Sequence, residues 1–209
     1  MKIIVVSDIH INSHFSKKDR FLELMSKIEC DLLVINGDLY DLYVAPPGRD
    51  ILKVINKNKK IKDLIYIRGN HDYYIKDHFP QLDVRDFYRI GDVVITHGHQ
   101  YDFLSSSEPS GKGYGKWSVV IREWIEKTFN FNVRILLKKI TFGLVDWILF
   151  KAQKKAVADN PGKKVIIGHT HAPINKHPYY NTGCMVDEFF TYMVIHMKDE
   201  VGSISLISG

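Results

Sequence analysis

The chain has 209 residues, 45% hydrophobic and 25% charged, a composition that excludes a disordered or low-complexity protein. The formal net charge is +5, unevenly placed: residues 112–155 hold ten lysines and arginines against three acids, an excess of seven that is larger than that of the whole chain. Two cysteines, Cys30 and Cys184, lack metal-type spacing and read as buried thiols of a reducing compartment, not as a disulfide framework.

The opening "MKIIVVSDIH" has four consecutive apolar residues before Ser7 and Asp8, too few for a secretory signal or a membrane span, so a cytoplasmic protein is expected. Residues 2–8 read as a buried strand, because a short β-branched run stops at polar residues. Phe21, Leu24, Met25 and Ile28 set a helical stripe over 17–29. "DLLVINGD" (31–38) is a second apolar run, a helix follows over 49–58, and "DLIYIRGNHD" is a third run. This alternation predicts an α/β domain with a largely parallel sheet, and continuously apolar strands predict helices on both faces. "VRDFYRIGDVVITHGH" reads as two strands joined at Gly91-Asp92. Trp117, Val120, Ile121, Trp124, Ile125 and Thr128 fit the i, i+3, i+4, i+7, i+8 spacing of a helix; a second helix is expected over 132–157, with Val133, Leu136, Leu137, Ile140, Leu144 and Ile148 on one face. "KKVIIGHTH" (163–171) is another strand, and "FFTYMVIHM" with "VGSISLI" predicts a closing antiparallel pair and a mixed second sheet.

Five apolar runs end alike: in Asp8-Ile9-His10, in Gly37-Asp38, in Gly69-Asn70-His71-Asp72, in His97-Gly98-His99 and in Gly168-His169-Thr170-His171. In an α/β sheet, ligands bind outside the carboxyl ends of the strands. If these ends lie together they gather carboxylates, an amide and several imidazoles at one edge. Desolvated carboxylates repel one another, and an unpaired buried charge costs several kcal/mol. Divalent cations remove that penalty, and mixed N/O donors suit zinc, iron and manganese. Seven or eight donors are too many for one ion and about right for two.

In this order the motifs D-x-H, G-D, G-N-H-D, H and G-H-x-H resemble the calcineurin-like metallophosphoesterase superfamily, over nearly the whole chain except residues 105–160. The resemblance implies an α/β fold, a four-layer αββα sandwich of two mixed β-sheets flanked by helices, as one domain over 1–209 carrying a helical insert at 105–160. It implies that Asp8, His10, Asp38 and His171 hold one divalent metal (manganese, iron or zinc) and that Asp38, Asn70, His97 and His169 hold a second, with Asp38 as bridge. His71 corresponds to the family's catalytic histidine, and Asp72 to its orienting partner. The expected reaction is hydrolysis of a phosphodiester or pyrophosphate by a hydroxide bridging the two ions. A cyclic-nucleotide or general nucleotide phosphodiesterase remains an alternative, as does a non-catalytic scaffold resembling the retromer subunit.

The insert holds all three tryptophans, and "ITFGLVDWILF" (140–150) is apolar nearly all round and flanked by lysines. Such a segment packs on the core, lies in a membrane interface, or covers an amphiphilic anionic substrate. His99, Trp117 and Trp124 are candidate substrate contacts. The insert's position also resembles the UDP-2,3-diacylglucosamine pyrophosphatase branch, although that branch carries arginine where His71 stands and H-G-D where this chain has "HGHQYD". Expected partners are a phosphorylated small-molecule or lipid-linked substrate, a peripheral membrane contact through 112–155, and a second copy in a homodimer. The lysines lack the interleaved aromatics of a nucleic-acid module.

Overall fold

The computed structural model describes residues 1–102, 114–130, 132–133, 136, 144–186 and 189–209. Two mixed sheets face each other. The first runs in the order β11 (Val201–Ser208), β10 (Thr191–Lys198), β1 (Lys2–Val6), β2 (Leu32–Asn36), β3 (Leu64–Ile67), β4 (Val84–Arg85). Here β1 to β4 are mutually parallel, and β10 runs antiparallel to both β1 and β11. The second runs β5 (Phe87–Ile90), β6 (Val93–Thr96), β7 (Lys164–Ile167), β9 (Tyr179–Asn181), β8 (Ile174–Lys176), with β6, β7 and β9 parallel.

Strand periodicity explains the layers. In β1, Ile3 and Val5 point into the inter-sheet core with Val34, Ile67, Val93, Ile95 and Ile166, while Ile4 and Val6 face the opposite side. That second side is covered by Phe21 and Met25 of α1 (Lys18–Lys27), by Ile51, Leu52 and Ile55 of α2 (Asp50–Lys57) and by Ile75 of the short α3 (Ile75–His78). Both faces of β1 and β2 are therefore apolar, and their sequences do not alternate. On the far face of the second sheet, Ala156 of α5 (Leu144–Ala158) packs on Val165, Ile167 and Tyr179. The expected αββα sandwich is thus present, and both cysteines are buried as free thiols.

Three details differ from the sequence reading. The run at 84–96 is not one hairpin: β4 joins the first sheet beside β3, the chain crosses at Asp86, and only β5 and β6 form the hairpin around Gly91-Asp92. The pair β8–β9, in a stretch poor in aliphatic residues, was not anticipated. Most unexpectedly, α4 (Tyr114–Phe129) is turned over: it buries Val119, Glu123 and Glu126 and exposes Ile121 and Trp124. Hydrogen bonds hold it this way. Glu123 accepts from the Ser13 hydroxyl at 2.7 Å and from the His14 amide at 2.9 Å, and Glu126 accepts from the Val133 amide at 3.1 Å. Of the helix expected over 132–157, Leu144–Ala158 is helical, whereas Leu137 and Ile140 lie outside the described residues.

Candidate metal centre

The strand directions bring the polar strand ends together. Because β1, β2 and β3 are parallel, Asp8, Asp38 and Asn70 emerge at one end of the first sheet; β6 and β7 likewise deliver His97, His169 and His171. Backbone bonds sew the loops to one another: His10 N–H donates to the Asp38 carbonyl at 2.9 Å and Gly168 N–H to the His97 carbonyl at 2.9 Å. Two bonds cross between sheets. The Asn36 amide donates to the Thr96 carbonyl at 3.0 Å, and His97 Nδ1–H donates to the Asn36 carbonyl at 2.8 Å. The second bond fixes the His97 tautomer and leaves Nε2 as a donor atom for a metal.

All seven predicted ligands lie in this region. His171 Nε2 is 3.2 Å from both Asp8 Oδ1 and His10 Nε2. His97 Nε2 is 3.3 Å from Asp38 Oδ2 and 3.2 Å from Asn70 Oδ1. Asp8, His10 and His171 form one group whose candidate ligand atoms all lie within 4.8 Å of one another, and Asp38, His97 and His169 form another. Asp38 Oδ2 also lies 3.8 Å from His10 Nε2, between the two groups. Its other oxygen accepts from the His71 amide at 2.8 Å.

The backbone is strained at these positions. Asp8, His10, Asp38, His169 and His171 have φ between 48° and 60°, in the left-handed region that residues with a Cβ rarely enter. Each such residue costs on the order of 1–3 kcal/mol and persists where surrounding structure enforces it, which is typical of functional sites. Two glycines make room for the carboxylates. A Cβ at Gly69 would fall on the Asp38 carboxylate, and one at Gly168 on the Asp8 carboxylate and the Ser7 hydroxyl.

The electrostatics match a cation site. Burial works to raise the Asp38 carboxyl, but the imidazoles of His97 and His71 outweigh it and hold the group well below the usual carboxylate range. Asp8 is lowered in the same way, with His171 opposing its burial. Burial would depress His97, yet Asp38 and Asp8 push it up to about 10. Asp8 Oδ2 is tied by the Ser7 hydroxyl at 2.6 Å and the His169 amide at 2.9 Å, while the buried Oδ1 accepts no hydrogen bond. An orphaned carboxylate oxygen among imidazole nitrogens fits a divalent ion of the borderline class.

Asp72, expected as the orienting partner of His71, has its oxygens on other groups. Asp72 is buried with its oxygens occupied: Oδ2 accepts from the Leu39 amide and the Tyr66 hydroxyl, and Oδ1 from the Gly69 amide. It braces the loop, and burial with the nearby Asp38 charge raises its pKa to about 6. Asp41 stands where Asp72 was expected, with Oδ1 3.2 Å from His71 Nδ1. Asp41 Oδ2 lies 3.8 Å from His10 Nδ1 and 3.6 Å from Arg122 Nη2 of α4. Asp102 was also missed; its Oδ2 is 3.0 Å from His169 Nε2. Asp41 lies three residues past Asp38 in "GDLYD", within the same loop, and Asp102 is the last residue of "HGHQYD".

His99 lies beside the site, its ring 5.5 Å from that of His97, and burial together with the His97 charge lowers its pKa to about 3. Trp124 is not at the site: it stands on the outward side of α4, 62% exposed, its ring 6.4 Å from Phe129. The Trp117 side chain lies outside the described residues. Among the described residues no helix is long and apolar enough to cross a membrane.

Comparison with known proteins follows the same line. The sequence model of the calcineurin-like phosphoesterases matches residues 1–192. An uncharacterized metallophosphoesterase of Helicobacter pylori is 33% identical over 76 residues, 35% of this chain and 20% of the relative. A bovine transmembrane protein with metallophosphoesterase domain is 32% identical over 79 residues, 37% of this chain and 18% of the relative. The matched stretch thus spans about a fifth of these relatives' length. Among solved structures, the phosphoesterase Yfce of E. coli superposes with a TM-score of 0.47 at 16% identity, covering 100% of this chain and 99% of that one.

Proposed function

The chain belongs to the calcineurin-like phosphoesterase family, and on that premise we propose that it is a dinuclear metal-dependent phosphoesterase hydrolysing a phosphodiester or pyrophosphate bond, in a nucleotide-linked or lipid-like substrate. The observation that carries this reading is the place of Asp38 Oδ2, between one group of His and Asp donors and a second. Asp8, His10, Asp38 and His171 would hold one ion, and Asp38, Asn70, His97 and His169 the other. When bound, the ions would supply an activated water at neutral pH and neutralise charge on the phosphoryl group.

The chain's own residues do the rest. Asp41 engages His71 at Nδ1, which keeps a proton on that nitrogen and leaves Nε2 for the substrate. A protonated His71 stabilises the charge that develops on the phosphoryl oxygens or hands its proton to the leaving oxygen, worth roughly 10²–10⁴ in rate. Arg122, held against Asp41, is a second cation at the same edge for an anionic substrate larger than a bare phosphate.

Hydrolysis of bis-p-nitrophenyl phosphate by chelator-stripped protein reloaded with manganese, iron or zinc tests this. Wild type is expected to turn over, and His71→Ala to bind the same metal with turnover lowered by about 10²–10⁴. Absence of hydrolysis with every divalent metal, or an unchanged kcat in His71→Ala, overturns the proposal.

A further inference from the structure

Helix α4 buries charge and exposes apolar surface, the reverse of the ordinary amphipathic arrangement. Val119, Glu123 and Glu126 are 8%, 8% and 2% exposed, whereas Ile121, Trp124 and Phe129 are 53%, 62% and 67% exposed. At 3.6 residues per turn Ile121 and Trp124 lie opposite Val119, Glu123 and Glu126, with Lys127 and Phe129 on the two flanks between them. The inward side is fully engaged, with Glu123 on Ser13 and His14, Glu126 on Val133, and Arg122 on Asp41. Rolling the helix to hide Trp124 would break all of these contacts.

The inversion also sorts charge. Residues 112–155 hold three acids, and two of them, Glu123 and Glu126, are turned inward. Lys127 of α4 and Lys151, Lys154 and Lys155 of α5 are exposed. Ile121 and Trp124, flanked by Phe129 and Lys127, therefore form an apolar strip edged by an ammonium group. A second copy of this chain would bring like charges together at such a face. An anionic bilayer would complement it: Ile121 and Phe129 would enter the acyl boundary, the Trp124 indole would sit at headgroup level, and Lys127 would meet lipid phosphates.

We propose that the exposed strip of α4, Ile121 and Trp124 with Phe129 and Lys127 on its two flanks, docks the protein on an anionic lipid surface. The opposite side of the same helix reaches Asp41 and so the catalytic histidine. Docking thus sets the metal centre about one helix diameter, roughly 10 Å, from the lipid headgroups. The docking itself does not depend on the reaction proposed above.

Co-sedimentation of the purified chain with vesicles of phosphatidylcholine, alone or mixed with phosphatidylglycerol, tests the proposal. Wild type is expected to pellet with the anionic vesicles and to be released by high salt. Ile121→Ser/Trp124→Ser should lower partitioning about tenfold or more, and Lys127→Glu about fivefold. Bromine-labelled acyl chains should quench wild-type tryptophan emission, a measurement that stands even if the double variant melts early. No preference for anionic vesicles, undiminished binding by the double variant, or a dimer by light scattering that the double variant splits would each overturn the assignment. Failure here would leave the hydrolysis assay unaffected, and failure of hydrolysis would leave the vesicle result standing.

Discussion

Asp41 and Asp72 are both fully buried beside the GNHD loop, yet their surroundings assign them different work. The Asp72 oxygens take up the Leu39 and Gly69 amides and the Tyr66 hydroxyl, so its loss should be felt in the fold. The Asp41 oxygens face the imidazoles of His71 and His10 and the Arg122 guanidinium, so its loss should be felt in turnover. Asp72→Asn is expected to lower stability by about 1–3 kcal/mol, read from denaturant midpoints. Asp41→Asn should keep metal content and lower kcat by about 10–100-fold. The reverse pattern, with Asp41→Asn unfolding early and Asp72→Asn inactive but stable, would return the orienting role to Asp72. The seven candidate ligands are legible in the sequence because each ends an apolar run. Asp41 ends no run, so its part emerges only once the chain has folded back over His71.

At the scale of elements, close approach matters more than propensity. Gly168 follows β7 and lies against the Asp8 carboxylate at the end of β1, two strands of different sheets. Gly168→Ala should displace Asp8 or the loop and weaken metal affinity about 10–100-fold by competition titration, with little change in the circular dichroism of the apo protein. Full affinity in that variant would mean the loop yields freely. The existence of α4 was legible from its 3.6-residue period, but its facing was not. Periodicity assumes that the apolar stripe turns inward, whereas here charged side chains found partners on Ser13, His14 and Asp41, more than 70 residues away in sequence. The same reason hid β8 and β9. They are held by pairing with β7 and with each other, and "INK" carries no strand-like pattern of its own.

For the molecule as a whole, the sandwich followed from counting apolar runs, but which strand joins which sheet depends on long-range pairing that no local pattern records. β10 inserts between β11 and β1, and β4 and β5 part company across one residue. Global stability should respond to pH through the site at the sheets' seam. In the metal-free chain burial would lower His97, but Asp38 and Asp8 raise it to about 10 against an ordinary 6.5. A raised histidine contributes stability that is complete below the unfolded pKa and fades as pH climbs to the folded one. Apo protein should therefore lose melting temperature between about pH 6.5 and 10. Metal must displace the His97 proton, so binding should release protons and tighten with rising pH, read by calorimetry in buffers of different ionisation enthalpy. Proton-independent binding would remove His97 from the ligand set.

The placement of β10 has a consequence for biosynthesis. The first sheet cannot close around β1 until residues 191–198 have left the ribosome, and His169 and His171 emerge shortly before them. Asp8, Asp38 and Asn70 are translated much earlier and must wait, incompletely caged, for the chain's last quarter. The centre is therefore completed late, and a nascent chain stalled before β7 carries Asp8 and Asp38 without the two imidazoles, His169 and His171, that complete their surroundings.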